Sequence, residues 1–242
     1  DVISERAEAL YFLLTGKKGV VFVAADTILQ RLPPPEFIVK SSFIIRKGEE
    51  RDPEELRRFL SDSGYLAVET VMEHGEFSMR GSILDVFPMG AMHPCRIDFF
   101  DTEVDSIRFF DPETQRSDKR GLEGIRILPA REYPTEKDAI ERFRIGYRKL
   151  FGASLDEGSV YKAVSDGSFP GGIEYYLPLF FEKTFSVFDY LPEGSLVVTA
   201  GDTAAAMDAF LHDTAFRART GGDSLRPRLA PDILYWTKPD IS

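Results

Sequence analysis

Two stretches decide the fold: FSMRGSILDVFP at residues 77–88 and CRIDFFDTEVDSIRFFD at residues 95–111. In both, apolar and polar side chains alternate over part of the length, a pattern that predicts β-strands with one buried face. The second stretch contains a short acidic segment, Asp101 to Glu103, that predicts the turn of a hairpin. A strand-rich unit therefore occupies the middle of the chain.

A further strand and a helix precede these stretches. The segment FIIRKGEE at residues 43–50 predicts a strand and a turn. Asp52 followed by Pro53 predicts the start of a helix, because aspartate caps the first turn and proline fits the first helical position. The strand-rich unit then runs to about Arg126.

Sequence of a different kind flanks this unit. The segments GVVFVA at residues 19–24 and SLVVTA at residues 195–200 are short continuous apolar runs, typical of buried strands, and a helix-like segment follows each. Strands that alternate with helices predict a parallel sheet. We therefore predict an α/β fold in which a parallel-sheet domain carries an inserted α+β, strand-rich domain.

The composition limits the classes of function. The 242 residues carry a formal charge of −10, which argues against a chain that neutralises many phosphates of a nucleic acid. One cysteine and three scattered histidines give no metal-ligand spacing, so we expect no metal and no other cofactor. No apolar run approaches the roughly 20 residues of a membrane helix, and we expect a cytoplasmic protein without membrane contact. Because the chain starts with Asp1, we expect a piece of a longer protein.

Motifs for catalysis are missing from the sequence. The phosphate-binding loop GxxxxGK[ST] does not occur. Asp202, after the run SLVVTAG, is interpreted as the N-cap of the next helix and not as a magnesium ligand. The carboxylates around Asp101 straddle a turn without the glycine and glutamate of a calcium loop, so they are interpreted as solvated. We expect no catalytic residue.

The two faces of the predicted hairpin differ in character. Side chains alternate between the faces of a strand, so Ile97 and Phe99 are predicted to point towards the core. Arg96, Asp98 and Phe100 are then predicted to point away from it.

The neighbouring strand extends this outward face. Alternation there predicts a polar row of Ser78, Arg80 and Ser82, and a core-facing set of Phe77, Met79 and Ile83. If the strands pair, the outward face brings together the following residues: Arg80, Arg96, Phe100 and Arg108.

Phe100 allows two interpretations. An exposed aromatic side chain among arginines has the composition of a binding hot spot. The alternative is that Phe100 tucks against the rest of the inserted unit, since singly exposed apolar residues are normal on protein surfaces. The pattern alone leaves both open.

Several segments resemble the bacterial transcription-repair coupling factors, the Mfd family. They are MEHGEFSMRGSILDVFPMG (72–90), RIDFFDTEVDSIRFFDPETQRS (96–117), GIEYYLPLFFE (172–182) and FDYLPEGSLVVTAGD (188–202). The same module is similar to the first domains of UvrB. Unlike UvrB, this chain has no Asp-Glu pair after its LVVTAGD strand segment.

The resemblance implies a division into domains. Residues 1–41 and 127–151 are expected to form parts of domain 1a, residues 42–126 the inserted domain 2, and residues 152–242 domain 1b. Domains 1a and 1b would then be the remnant of a P-loop helicase-like (RecA-like) parallel-sheet fold that has lost its ATP site.

The resemblance also implies a function and a site. It indicates a non-catalytic adaptor that recruits UvrA to stalled RNA polymerase in nucleotide excision repair. The parent protein would be an ATP-dependent DNA translocase that contacts RNA polymerase and DNA through its other parts. UvrA-contacting residues are implied at Arg80, Arg96 and Phe100, with Arg108 as a further candidate. We expect truncation of Arg80, Arg96 or Phe100 to leave the fold intact.

Two rival functions remain at this point. The first is a UvrB-like damage-loading ATPase. The second is a structural domain that restrains the parent's motor through an intramolecular contact with its C-terminal region. The sequence does not separate binding from restraint, because one surface can serve both.

Overall fold

The structure, a computed structural model, describes residues 2–16, 18–153, 156–220 and 223–237. The chain divides into two compact units. The first unit comprises residues 1–15 and 36–131, and the second comprises residues 16–35 and 132–242.

Helices and strands follow one another in a mixed order. The α-helices are α1 (Val2–Leu14), α2 (Ala25–Ile28), α3 (Pro35–Lys40), α4 (Pro53–Asp62), α5 (Lys137–Phe151), α6 (Val160–Ser165), α7 (Thr203–Thr220) and α8 (Pro231–Leu234). The strands are β1 (Phe43–Arg46), β2 (Leu66–Ala67), β3 (Glu76–Arg80), β4 (Ile83–Val86), β5 (Cys95–Phe100), β6 (Glu103–Phe110), β7 (Ser117–Gly121) and β8 (Gly124–Ile127). Short 3₁₀ helices span Ile173–Leu179 and Val187–Tyr190.

The first unit is built on a six-stranded sheet in the order β2-β3-β4-β5-β6-β7. Its neighbouring strands run antiparallel except for β2 and β3, which are parallel. Two tight turns, Gly81–Ser82 and Asp101–Thr102, join β3 to β4 and β5 to β6. A separate antiparallel pair joins β1 to β8.

Helix α4 begins as its sequence predicts. The Asp52 carboxylate accepts hydrogen bonds from the backbone N–H groups of Glu54 and Glu55, which satisfies two donors that the first turn leaves free. Leu56 and Leu60 are buried in the core of the first unit. The helix is thus capped at one end and anchored along one face.

Helix α1 also belongs to the first unit. Ala7 lies in the same core as the strands, and the backbone N–H of Gly90 donates to Ser4 Oγ at 2.7 Å. Arg126 on β8 pairs with Glu8 at 3.0 Å. The strand-rich segment therefore carries an N-terminal helix in addition to its own α4.

The second unit has an aromatic core. The rings of Phe143 and Phe180 stack at a centroid distance of 4.9 Å, and Tyr147 and Tyr176 pack against them. Helix α5 supplies two of these rings from one face, as expected for helical spacing.

No helix within the described residues is long and apolar enough to span a bilayer.

The prediction of buried strands at residues 19–24 and 195–200 is wrong. Neither run forms a strand, and the side chains of Phe22 and Leu196 are 95% and 87% exposed. An apolar run becomes a strand only where another strand pairs with its backbone groups, and no ladder reaches these runs among the described residues. Apolar composition alone therefore predicted burial for two runs that are exposed to solvent.

The mixed α/β class and the strand-rich domain are confirmed. The predicted parallel sheet of the flanking domain does not form among the described residues, where the one parallel strand pair is β2–β3 of the first unit. The helicase-like origin stays a prediction. The three-part division at residues 42, 127 and 152 also stays a prediction; by its internal contacts, the chain separates into two compact units.

Candidate functional site

The candidate site is the outward face of strands β3 to β6, called here the arginine face. Register places Ser78 opposite Asp85, Asp85 opposite Arg96, and Arg96 opposite Arg108. Directly opposed residues project to the same side of a sheet with Cβ atoms about 5 Å apart. One continuous row of polar side chains therefore crosses four strands.

A second row lies beside the first. It joins Arg80 to Ile83, Ile83 to Asp98, and Asp98 to Ser106. The prediction that Ile83 faces the core is therefore wrong: the two-residue turn at Gly81–Ser82 puts Ile83 opposite Arg80 on the outward side.

The core position falls instead to the next residue, Leu84. Its side chain is fully buried, and it opposes Met79 and Ile97, which contribute to the same core cluster.

Phe100 ends β5 at the margin of the arginine face. It opposes Glu103, and the turn that follows is closed by Asp101 with a φ of 58°. Aspartate tolerates this left-handed conformation better than most residues. The Phe100 side chain is 77% exposed, so the alternative in which it tucks against the inserted unit is wrong.

Asp85 is the buried centre of the face. Its Oδ1 accepts from Arg96 Nε at 2.7 Å, and its Oδ2 accepts from Arg96 Nη2 at 2.9 Å. The same Oδ2 accepts from Arg80 Nη2 at 2.5 Å. One carboxylate therefore orients two guanidinium groups, and its interaction with Arg96 is bidentate.

Arg96 is held on every side by this unit. Its Nη1 donates to the Gln115 carbonyl and to Ser117 Oγ, both at 3.3 Å, and its guanidinium lies 4.9 Å from the ring centre of Phe110. The hydrogen bonds to Asp85 raise the pKa of the Arg96 guanidinium above its ordinary value. Only 18% of the side chain is exposed, against 52% for Arg80.

Arg108 is engaged differently. Its Nη2 donates to Asp98 Oδ2 at 2.5 Å, and Ser106 Oγ donates to the same oxygen at 2.8 Å. The side chain is 39% exposed, so solvent screens this pair and it contributes little to stability. Its cation lies at the surface of the face.

The face has the chemistry of a protein-binding surface. Three arginines and three carboxylates lie on this side of the sheet, since Glu103 opposes Phe100, so their charges balance. The Asp85 carboxylate is buried, whereas the Arg80 and Arg108 side chains are 52% and 39% exposed and can reach a partner. An exposed aromatic ring beside guanidinium groups is a combination that carries much of the energy in protein interfaces. The face thus suits a partner with an acidic group next to an apolar recess.

Two polar residues outside the arginine face, Asp202 and His74, make structural contacts. Asp202 Oδ1 accepts from the backbone N–H of Ala205 at 2.9 Å, which confirms its prediction as the cap of α7. His74 Nε2 lies 2.8 Å from the Ala91 carbonyl, and its ring packs on Phe87. Within the described part of the chain, no group of three or more histidine, cysteine or acidic residues is placed to hold a metal ion.

The structure brings all four predicted site residues onto the arginine face: Arg80, Arg96, Phe100 and Arg108. Their role in binding stays a prediction. Asp85 was missed by sequence reasoning. The available signal was an aspartate inside the apolar strand ILDV, since a carboxylate among core residues needs a partner.

Comparison with known proteins extends over the whole chain. The family described as "UvrB interaction domain" matches residues 43–133. The transcription-repair-coupling factors of Escherichia coli and Haemophilus influenzae are 42% and 40% identical over 99% and 100% of this chain. That of Bacillus subtilis is 32% identical over 82%. The chain spans about a fifth of the length of these relatives.

Proposed function

Because this chain belongs to the transcription-repair coupling factor family, we propose that it is a non-catalytic adaptor module that binds UvrA. By binding UvrA it recruits nucleotide excision repair to a stalled RNA polymerase. The module works in the cytoplasm as one part of a longer protein.

The observation that carries the proposal is the position of Phe100. This residue is 77% exposed, ends the strand β5 that also carries Arg96, and falls within the segment that matches the UvrB interaction domain. Removing an exposed aromatic ring from water is favourable, and here that gain becomes available only when a partner covers the ring. We assign Arg80 and Phe100 to the contact with UvrA, with Arg96 and Arg108 beside them.

The rest of the parent protein supplies the other activities in this proposal. The parent is an ATP-dependent DNA translocase, and its contacts with RNA polymerase and DNA lie outside this chain. The relatives are about five times as long as the matched segment, which leaves room for a motor.

The module itself does not hydrolyse ATP in this proposal. Its sequence lacks a GxxxxGK[ST] loop, and the aspartate after SLVVTAG is committed to capping α7. These two features disfavour the rival function of a UvrB-like ATPase.

A calorimetric titration tests the proposal. UvrA titrated with this chain is expected to give a saturable complex at physiological salt, whereas ATP with magnesium is expected to give no binding heat. No interaction with UvrA would refute the adaptor function. A stoichiometric nucleotide complex would favour the ATPase instead.

A further inference from the structure

Asp85 is a charged residue in an unusual place. It lies in the middle of β4 between Leu84 and Val86, and all three are fully buried. A carboxylate that leaves water loses its hydration, so it is tolerated only when strong hydrogen bonds replace that hydration. For Asp85 those bonds come from two residues of the arginine face, Arg80 and Arg96.

The two arginines use this carboxylate in different ways. Arg96 turns Nε and Nη2 to Asp85 and Nη1 to the segment at Gln115 and Ser117. Its nitrogens therefore all face inwards, and 18% of the side chain remains exposed. Arg80 gives Asp85 one bond through Nη2 and keeps half of its side chain in solvent.

Holding an arginine in place before binding favours association. A free surface arginine samples many rotamers, and that freedom is lost when a partner fixes it. A buried acceptor that already fixes the guanidinium removes most of this loss.

We infer that Asp85 is a positioning residue: together with Arg96 as its brace, it presents Arg80 to UvrA in a fixed orientation. Arg80 and Phe100 then form the contact, and Arg96 acts from behind it. This inference rests on the proposed function, and it assigns Arg96 a supporting role in place of the direct contact that the resemblance implies.

A double-mutant cycle on the whole chain tests the inference. The variants are Asp85→Asn, Arg80→Ala and the combination of both, with UvrA dissociation constants measured by calorimetry and folding measured by thermal melting. Asp85→Asn is expected to weaken binding about tenfold, because Arg80 loses its fixed orientation. In the Arg80→Ala background the same change is expected to have almost no further effect.

Charge provides an internal check. Asp85→Asn adds one positive charge to the face, which alone would strengthen attraction to an acidic partner. If Asp85→Asn lowers the affinity for UvrA, the change in charge cannot be the cause, because it acts in the opposite direction. Leu60→Val is the control for lost stability, since Leu60 is fully buried on α4 and lies outside the arginine face. It is expected to lower the melting temperature without changing the affinity of the folded chain.

The outcomes separate the two claims. If the wild-type chain fails to bind UvrA, the proposed function is refuted. If the wild type binds and a folded Asp85→Asn binds equally well, or if the losses from Asp85→Asn and Arg80→Ala simply add, the positioning role is refuted.

A measurement on the wild type covers the case in which Asp85→Asn does not fold. Nitrogen-15 NMR of the arginine side chains is expected to show slow guanidinium rotation for both Arg80 and Arg96 before UvrA is added. Fast rotation of the Arg80 guanidinium in the free chain would overturn the inference.

Discussion

Phe99 and Phe100 are consecutive in β5 and lie in opposite environments: the first is 6% exposed in the core, and the second is 77% exposed on the arginine face. The period of two along a strand produces this separation. Phe99 opposes the buried Val104, while Phe100 opposes the exposed Glu103 next to the turn. We therefore expect Phe99 to contribute to the stability of the fold and Phe100 to contribute to binding.

The first prediction concerns stability. Phe99→Ala should lower the free energy of unfolding by about 3–5 kcal/mol, because it removes a core ring and leaves a cavity. Phe100→Ala should change it by less than about 0.5 kcal/mol, since solvent already covers that ring. Urea denaturation of the two variants measures both values. Equal losses would mean that the two faces of β5 are assigned wrongly.

The parts of the fold that sequence predicts correctly are those that a local pattern determines, such as the alternation along β5. The faces of β5 and β6 and the start of α4 could be predicted because a local period or a local cap determines them. Ile83 could not, because its side depends on the length of the turn at Gly81–Ser82. The apolar run at residues 19–24 could not either, because its burial depends on a pairing strand, and local sequence does not contain that information.

The second prediction corrects the expectation that every site variant keeps the fold intact. Arg96→Ala should cost about 3 kcal/mol of stability, because it leaves the buried carboxylate of Asp85 with only one of its two arginines. Arg80→Ala should cost less, since Arg80 is half exposed and makes one bond to Asp85. Chemical denaturation of both variants compares them, and a larger loss for Arg80→Ala would contradict the brace assigned to Arg96.

The third prediction uses the only cysteine of the chain, Cys95. Burial raises the pKa of its thiol to about 12, so ionisation of the thiol favours the unfolded chain. The contribution of the buried thiol to stability is therefore complete below about pH 9, the ordinary pKa of a thiol, and is lost as the pH rises towards 12. The stability difference between wild type and Cys95→Ala should shrink over this range. A difference independent of pH between 8 and 11 would contradict the burial of the thiol.

The fourth prediction concerns the exposed apolar run at residues 19–24. Phe22→Ser should leave the melting temperature of this chain unchanged, because the ring is 95% exposed. Phe143→Ser, in the aromatic core of the second unit, serves as the contrast and should lower it strongly. A clear loss of stability in Phe22→Ser would show that the run packs against the rest of the second unit.

The affinity of UvrA for variants of the arginine face tests the central claim most directly. Calorimetric titrations of wild type, Phe100→Ala and Arg80→Ala should show a dissociation constant about 30-fold higher for each variant, or about 2 kcal/mol. Ile145→Ala is the matched control: this side chain is 56% exposed on α5 in the second unit, and its removal should leave the affinity unchanged. If folded Phe100→Ala and Arg80→Ala bind UvrA as tightly as wild type, the arginine face is not the binding surface.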